Sequence, residues 1–317
     1  MVSLPPFAAR RHTRRSVACA AASSYCSGGS REPAMSPRTG ELRYLLNGAF
    51  HRLAWMEWGD AAAPPVICVH GLTRNGRDFD RLAEALSDAF RVICPDLPGR
   101  GRSGWLPDPA LYQPATYVLA LSHLLAVIDR PVGWVGTSLG GICGMLVAAA
   151  EGQPIEKLVL NDIGPFIPAA ALARIGGYIA APDSFDDLAA VECYLRRVHA
   201  PFGALTDADW GHLARHSARP LPDGRLALHY DPAIASPLLE TAPQDQSFWP
   251  LWERVRIPVL VLRGESSDLL EPATLARMEQ SGARSLAVAG AGHAPGLMDA
   301  PTIAMVRGFL LGSIQAG

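Results

Sequence analysis

The chain has 317 residues, 49% of them hydrophobic and 18% charged, with a formal net charge of −2. That apolar content can fill one large α/β domain or two smaller ones and excludes extended disorder for most of the length. The near-neutral charge leaves no basic face for nucleic acid or an anionic membrane, and no apolar run approaches the ~20 residues of a bilayer span, so a soluble protein acting on a small molecule is expected.

In chain order, the first 34 residues hold five arginines and one acidic residue among many Ser and Ala, with no apolar period. They read as disordered. An Arg- and Ser-rich, acid-poor leader has the character of an organelle transit peptide, and Met35 offers an alternative translation start. Residues 1–40 are therefore expected to lie outside the fold, and the location to be cytoplasmic, with organelle import the alternative if the leader is genuine.

From Glu41 strands alternate with helices. LRYLLN, HRLAWMEW and PPVICVH are followed by a helix around Phe79 to Phe90, then RVICPD, a helix from about Ala115 to Asp129, VGWV, a helix after Ser138, and KLVLND. Such alternation predicts a mostly parallel sheet with helices on both faces, whose ligands bind beyond the carboxyl ends of the strands. The pattern stops at Gly164-Pro165 and resumes at Ile257 to Arg263, with a helix near Pro272 to Gln280, RSLAVAG, and a last helix from about Pro301 to Leu311. Residues 41–317 are thus one α/β domain carrying a helical insertion at about 165–246. An insertion leaving the sheet at a strand's carboxyl end is expected to cover the site as a lid.

The six cysteines lack metal-site spacing, and Cys68 and Cys94 fall in buried strands, as small reduced hydrophobes do. His212 and His216 stand four apart without the carboxylate of an H-E-x-x-H pattern, so no metal is expected.

Candidate chemistry centres on GTSLGG. Ser138 follows a short apolar strand and precedes a helix-favouring run, the context in which a serine sits at the apex of a strained turn. A serine hydroxyl needs a base and a group to orient that base. Asp268 and His293 each follow a later strand, giving the chain order Ser, acid, His. His70-Gly71-Leu72 follows PPVICV, where the N–H of Leu72 can join that of Leu139 to meet a developing oxyanion. Asp96, in the glycine-rich turn DLPGRGRS, reads as bonding turn amides. Arg74, flanked by Asn75 and Arg77, offers donors to a substrate carboxylate, with a solvated polar loop the alternative. Trp249 and Trp252 read as packing anchors or as substrate platforms.

HGLTRNG, DLPGRGRS, GTSLGG, a late Asp and GAGH, in this order over residues 41 to 314, resemble the α/β-hydrolase superfamily, most nearly its small carboxylesterases and enol-lactonases with lids. The resemblance implies Ser138 as nucleophile, His293 as base, Asp268 as orienting acid, Leu72 and Leu139 as oxyanion donors, and no cofactor. Some members place the acid after the strand where Asp162 stands, so Asp162 is the alternative acid; it is otherwise read as fixing the start of the insertion. Many C–C bond hydrolases of the superfamily carry glycine where Thr73 stands here. The expected activity is hydrolysis of a small or medium carboxylic ester, thioester or lactone through an acyl-enzyme. C–C bond hydrolysis and a ligand receptor with little turnover are the alternatives.

Overall fold

The computed structural model describes residues 36–179, 184–240 and 242–313. The leader-like segment 1–34 lies outside the described residues.

Eight strands form one sheet: β1 (Arg38–Leu46), β2 (Ala49–Trp58), β3 (Pro65–Val69), β4 (Arg91–Pro95), β5 (Val132–Thr137), β6 (Ile155–Asn161), β7 (Val259–Gly264) and β8 (Arg284–Val288). Their order is β1-β2-β4-β3-β5-β6-β7-β8. β1 and β2 pair antiparallel, as do β2 and β4; every other pairing is parallel. The β1–β2 hairpin turns on Asn47-Gly48, both at positive φ (49° and 80°), the pair of residues that a tight hairpin turn favours. Helices α1 (Asp80–Leu86), α2 (Pro114–Ile128), α3 (Leu139–Ala148), α7 (Pro272–Gln280) and α8 (Ala300–Leu311) connect or follow the strands, as the alternation predicts.

Helices on both faces explain why the central strands read as unbroken apolar runs: all five residues of β3 are buried. Successive side chains serve opposite cores. Trp134 packs with Leu121, Leu160 and Tyr117 on one face, while Val135 packs with Val66, Val159 and Phe309 on the other.

Residues 165–246 contain α4 (Ala169–Ile179), α5 (Leu188–Val198) and α6 (Asp207–Ser217). The segment leaves and returns through one neck, where Phe166–Ile167 pairs antiparallel with Gln246–Ser247 and the Phe248 N–H donates to Pro165 O at 2.7 Å. It also holds a short hairpin, Ala218–Pro220 against Leu226–Leu228, which Ala- and Leu-rich composition did not announce. Cys68, Cys94 and Cys143 are buried and free. No helix among the described residues is long and apolar enough to cross a membrane.

α3 can approach β3 and β5 this closely only because two residues lack side chains. A Cβ on Gly140 would stand 2.0 Å from Val69 O, and one on Gly136 would stand 2.4 Å from Gly140 O. Gly140→Ala is therefore expected to destabilise the fold by about 1–3 kcal/mol through overpacking. Gly177→Ala, in α4 with nothing within 4 Å of its Cβ position, should be neutral or stabilising by about 0.4–1 kcal/mol. Thermal melting of the two variants checks the contrast.

Candidate active site

β5 runs into α3 through Ser138, which holds φ 50° and ψ −112°, a region that non-glycine residues rarely enter. The turn is fastened from the next strand, since the Ser138 N–H donates to Asn161 O at 3.0 Å. Asn161 in turn sends its Nδ2 to Thr137 Oγ1 (3.0 Å) and Pro295 O (2.8 Å), tying the strand end to the loop that carries His293.

His293 Nε2 lies 3.0 Å from Ser138 Oγ, and its Nδ1 lies 2.7 Å from Asp162 Oδ2. The acid in contact with the imidazole is Asp162, which corrects the expectation that Asp268 orients His293. Asp268 is half exposed and forms an ion pair through both carboxylate oxygens with Arg174 of α4, with no hydrogen bond to the imidazole. Asp162 is fully buried at the end of β6, with φ 55°. Its Oδ1 accepts from the Gly264 N–H (2.8 Å) and its Oδ2 from the Ser267 hydroxyl (2.6 Å). The loop expected to supply the acid does reach the site, but it supplies Ser267. That serine went unnoticed in the sequence because nothing in its neighbourhood marks it as a partner for an aspartate a hundred residues earlier.

The loop after β3, which carries Leu72, is built around a neutral histidine. Burial, with the charges of Arg100 and Arg74, pushes His70 down to about 3. The hydrogen bonds agree: Nδ1–H donates to Gly71 O at 2.7 Å, and Nε2 accepts from the Leu97 N–H at 2.9 Å. Arg100, fully buried, donates from Nε to Leu72 O at 2.9 Å and from Nη1 to the Tyr117 hydroxyl at 2.8 Å. Leu72 thus has its carbonyl turned back into the protein, and both Leu72 and Leu139 line the cavity above Ser138. Leu139 opens α3, so its N–H has no acceptor within the helix. Asp96 performs the bonding read from its motif, accepting from the N–H groups of Gly76 and Arg102 at 2.8 Å each, and burial raises its carboxyl to about 6.

Ser138 and His293 open onto a cavity of about 520 Å³, walled by the sheet edge and by residues of α4, α5 and the following turns, among them Leu172, Ile175, Val198 and Phe202. Arg74 lines this cavity, but its Nε and Nη2 are held by Asp78 at 2.8 and 2.6 Å. Trp249 and Trp252 do not line it. Trp249 lies under the Arg277 guanidinium, 3.7 Å from the ring centroid, and the buried Trp252 donates from its indole to Ser281 Oγ. These contacts fit the packing-anchor reading rather than that of substrate platforms; Phe248, their neighbour, does line the cavity. Among the described residues Asp80 joins His212 and His216 with donor atoms within 4.8 Å of one another. Asp80 is already engaged by Arg77 at 2.5–2.9 Å, and His212 Nε2 lies 3.0 Å from Arg77 O, so the group is a hydrogen-bonded network between α1 and α6.

Residues 66–307 match a family model described as the alpha/beta hydrolase family. The chain is 40% identical over 290 residues to the 3-hydroxybutyrate-oligomer hydrolase of Cupriavidus necator, a match covering 88% of this chain and 99% of that protein. It is 31% identical over 221 residues to the 2-(acetamidomethylene)succinate hydrolase of Mesorhizobium japonicum, covering 68% of this chain and 76% of that one. Among solved structures, an alpha/beta hydrolase from Novosphingobium aromaticivorans superposes with a TM-score of 0.77 at 36% identity, over 87% of this chain and 99% of that one.

The neutrality of His70 has a measurable consequence. Its folded pKa of about 3 lies below the ordinary 6.5, so as pH falls through 6.5 the unfolded chain takes up a proton that the folded one refuses. The stability this group contributes is fully present above pH 6.5 and declines as pH falls toward 3. Denaturant unfolding of the wild type between pH 6 and pH 4 should therefore show a slope steeper by about 1.4 kcal/mol per pH unit than that of His70→Gln. Equal slopes would mean that His70 takes up its proton in the folded state.

Proposed function

The chain is a hydrolase of the alpha/beta hydrolase family, and from that premise we propose that it cleaves short carboxylic esters through an acyl-enzyme on Ser138, His293 and Asp162. Esters of hydroxyalkanoic acids, of the kind named for the Cupriavidus relative, are the substrates we favour. The observation that carries the reading is the continuous hydrogen-bond relay from Ser138 Oγ through the imidazole to Asp162, opening onto a largely apolar cavity.

In this reading His293 Nε2 takes the proton of Ser138 as the hydroxyl attacks the ester carbonyl. Asp162 holds Nδ1–H and so fixes the tautomer that leaves Nε2 free to accept. The N–H groups of Leu72 and Leu139 receive the tetrahedral oxyanion, acting as fixed donors that need no reorganisation. His293 then returns the proton to the departing alkoxide. Water, activated by the same imidazole, releases the acid. The insertion serves as the lid, its α4 and α5 side chains setting the length and width of the acyl pocket and excluding water around the reacting carbonyl.

Two results test the assignment. A fluorophosphonate probe should label Ser138 alone, and Ser138→Ala should remove the label. On a p-nitrophenyl ester, Asp162→Asn should lose about 10⁴ in kcat, the loss seen when a triad acid becomes an amide and the imidazole takes the wrong tautomer. Asp268→Asn should stay within about threefold of the wild type, since it gives up only a half-exposed ion pair. If, with both variants folded, Asp268→Asn were the more damaged, the assignment of Asp162 would fall.

A further inference from the structure

Among the polar side chains of the cavity wall that the relay does not use is a histidine. His199 follows α5, is only 8% exposed, and lines the same cavity as Ser138 and His293. Its ring stacks on Phe202, with centroids 4.6 Å apart. The turn that carries it is fastened to the loop that carries His293: the Gly292 N–H donates to Pro201 O at 2.7 Å and the Gly296 N–H to Phe202 O at 3.0 Å. Yet neither ring nitrogen hydrogen-bonds any described residue, although the backbone N–H of His199 is paired with Leu195 O.

Most other polar side chains of the wall, Thr73 excepted, are engaged or exposed. The Tyr112 hydroxyl donates to Asp231 and accepts from the Leu106 N–H, the Tyr117 hydroxyl accepts from Arg100, and Arg74 is held by Asp78. Gln113, Gln244 and Gln246 are exposed. An imidazole on the cavity wall that makes no hydrogen bond to a described residue can make one to a molecule that enters the site. Burial, reinforced by the charge of Arg74, holds His199 well below its usual range, so the ring remains neutral, with one donor nitrogen and one acceptor nitrogen.

We propose that His199 is a specificity residue that hydrogen-bonds an oxygen substituent on the acyl chain of the substrate, so that the enzyme selects hydroxyacyl esters over their deoxy analogues. The inference rests on the ester-hydrolase reading above. It deepens that reading, because every unit of a 3-hydroxyalkanoate ester carries an oxygen on the third carbon, and a wall otherwise apolar near the nucleophile discriminates little between alkyl chains. A site that offers a buried polar partner disfavours an analogue lacking the matching group, because its own group is then left unpaired.

The test compares kcat/KM for the p-nitrophenyl esters of 3-hydroxybutyrate, each enantiomer separately, and of butyrate. The wild type should prefer one hydroxylated enantiomer by about tenfold, the worth of one such hydrogen bond. In His199→Phe, which keeps a flat ring on Phe202, that ratio should collapse to near one. In His199→Gln, which keeps a donor and an acceptor, most of the preference should return. Absence of preference in the wild type, or a ratio unchanged in His199→Phe, overturns the proposal. The two failures separate: hydrolysis that survives Ser138→Ala strikes at the ester-hydrolase reading itself, whereas an unchanged ratio in an enzyme that depends on Ser138 strikes only at His199.

Discussion

The site depends on one buried carboxylate. Asp162 has no exposure to solvent, and burial of a charge is tolerated only where hydrogen bonds replace its water. Three donors do so: the Gly264 N–H at the end of β7, the Ser267 hydroxyl, and His293 Nδ1–H. Two come from the end of β7 and the loop after it, the third from the loop after β8, and Asp162 itself follows β6. Satisfying the aspartate therefore brings three loops together, and His293 can face Ser138 only because that assembly is complete.

The remaining geometry follows from how closely backbone segments approach. Gly136 and Gly140 let α3 lie against β3 and β5, with Ser138 at the turn between strand and helix. On the opposite wall, neutral His70 and buried Arg100 hold the loop that presents Leu72, one through the carbonyl of Gly71 and the other through that of Leu72 itself. Buried polar side chains bonded to backbone carbonyls thus fix the loop that carries Leu72. In the proposed reaction this fixed backbone is what would receive the oxyanion without reorganisation.

Much of this was legible in the sequence, and for identifiable reasons. Unbroken apolar runs such as PVICV, separated by helix-length segments, announce a parallel sheet covered on both faces. GTSLGG between a strand and a helix announces a strained turn, and GAGH announces the histidine loop. The acid was not legible. Asp162 and Asp268 both follow strands ahead of His293, and local spacing favours Asp268. The choice is made by tertiary geometry: the side chain of Asp268 turns outward to Arg174, while Ser267 beside it turns inward to Asp162. His199 was hidden for a related reason. A lone histidine at the end of an amphipathic helix carries no local mark of the cavity it lines. Of the two readings of Trp249 and Trp252, the packing contacts with Arg277 and Ser281 fit the anchor reading.

The central claim is that Asp162 holds the imidazole of His293. Its most direct test is the ¹⁵N-correlated proton resonance of His293 Nδ1–H, observed downfield of the backbone amides in the resting enzyme. The account predicts that this resonance is present in the wild type and in Asp268→Asn and is lost or moved strongly upfield in Asp162→Asn. A resonance that survives in Asp162→Asn but disappears in Asp268→Asn would contradict it.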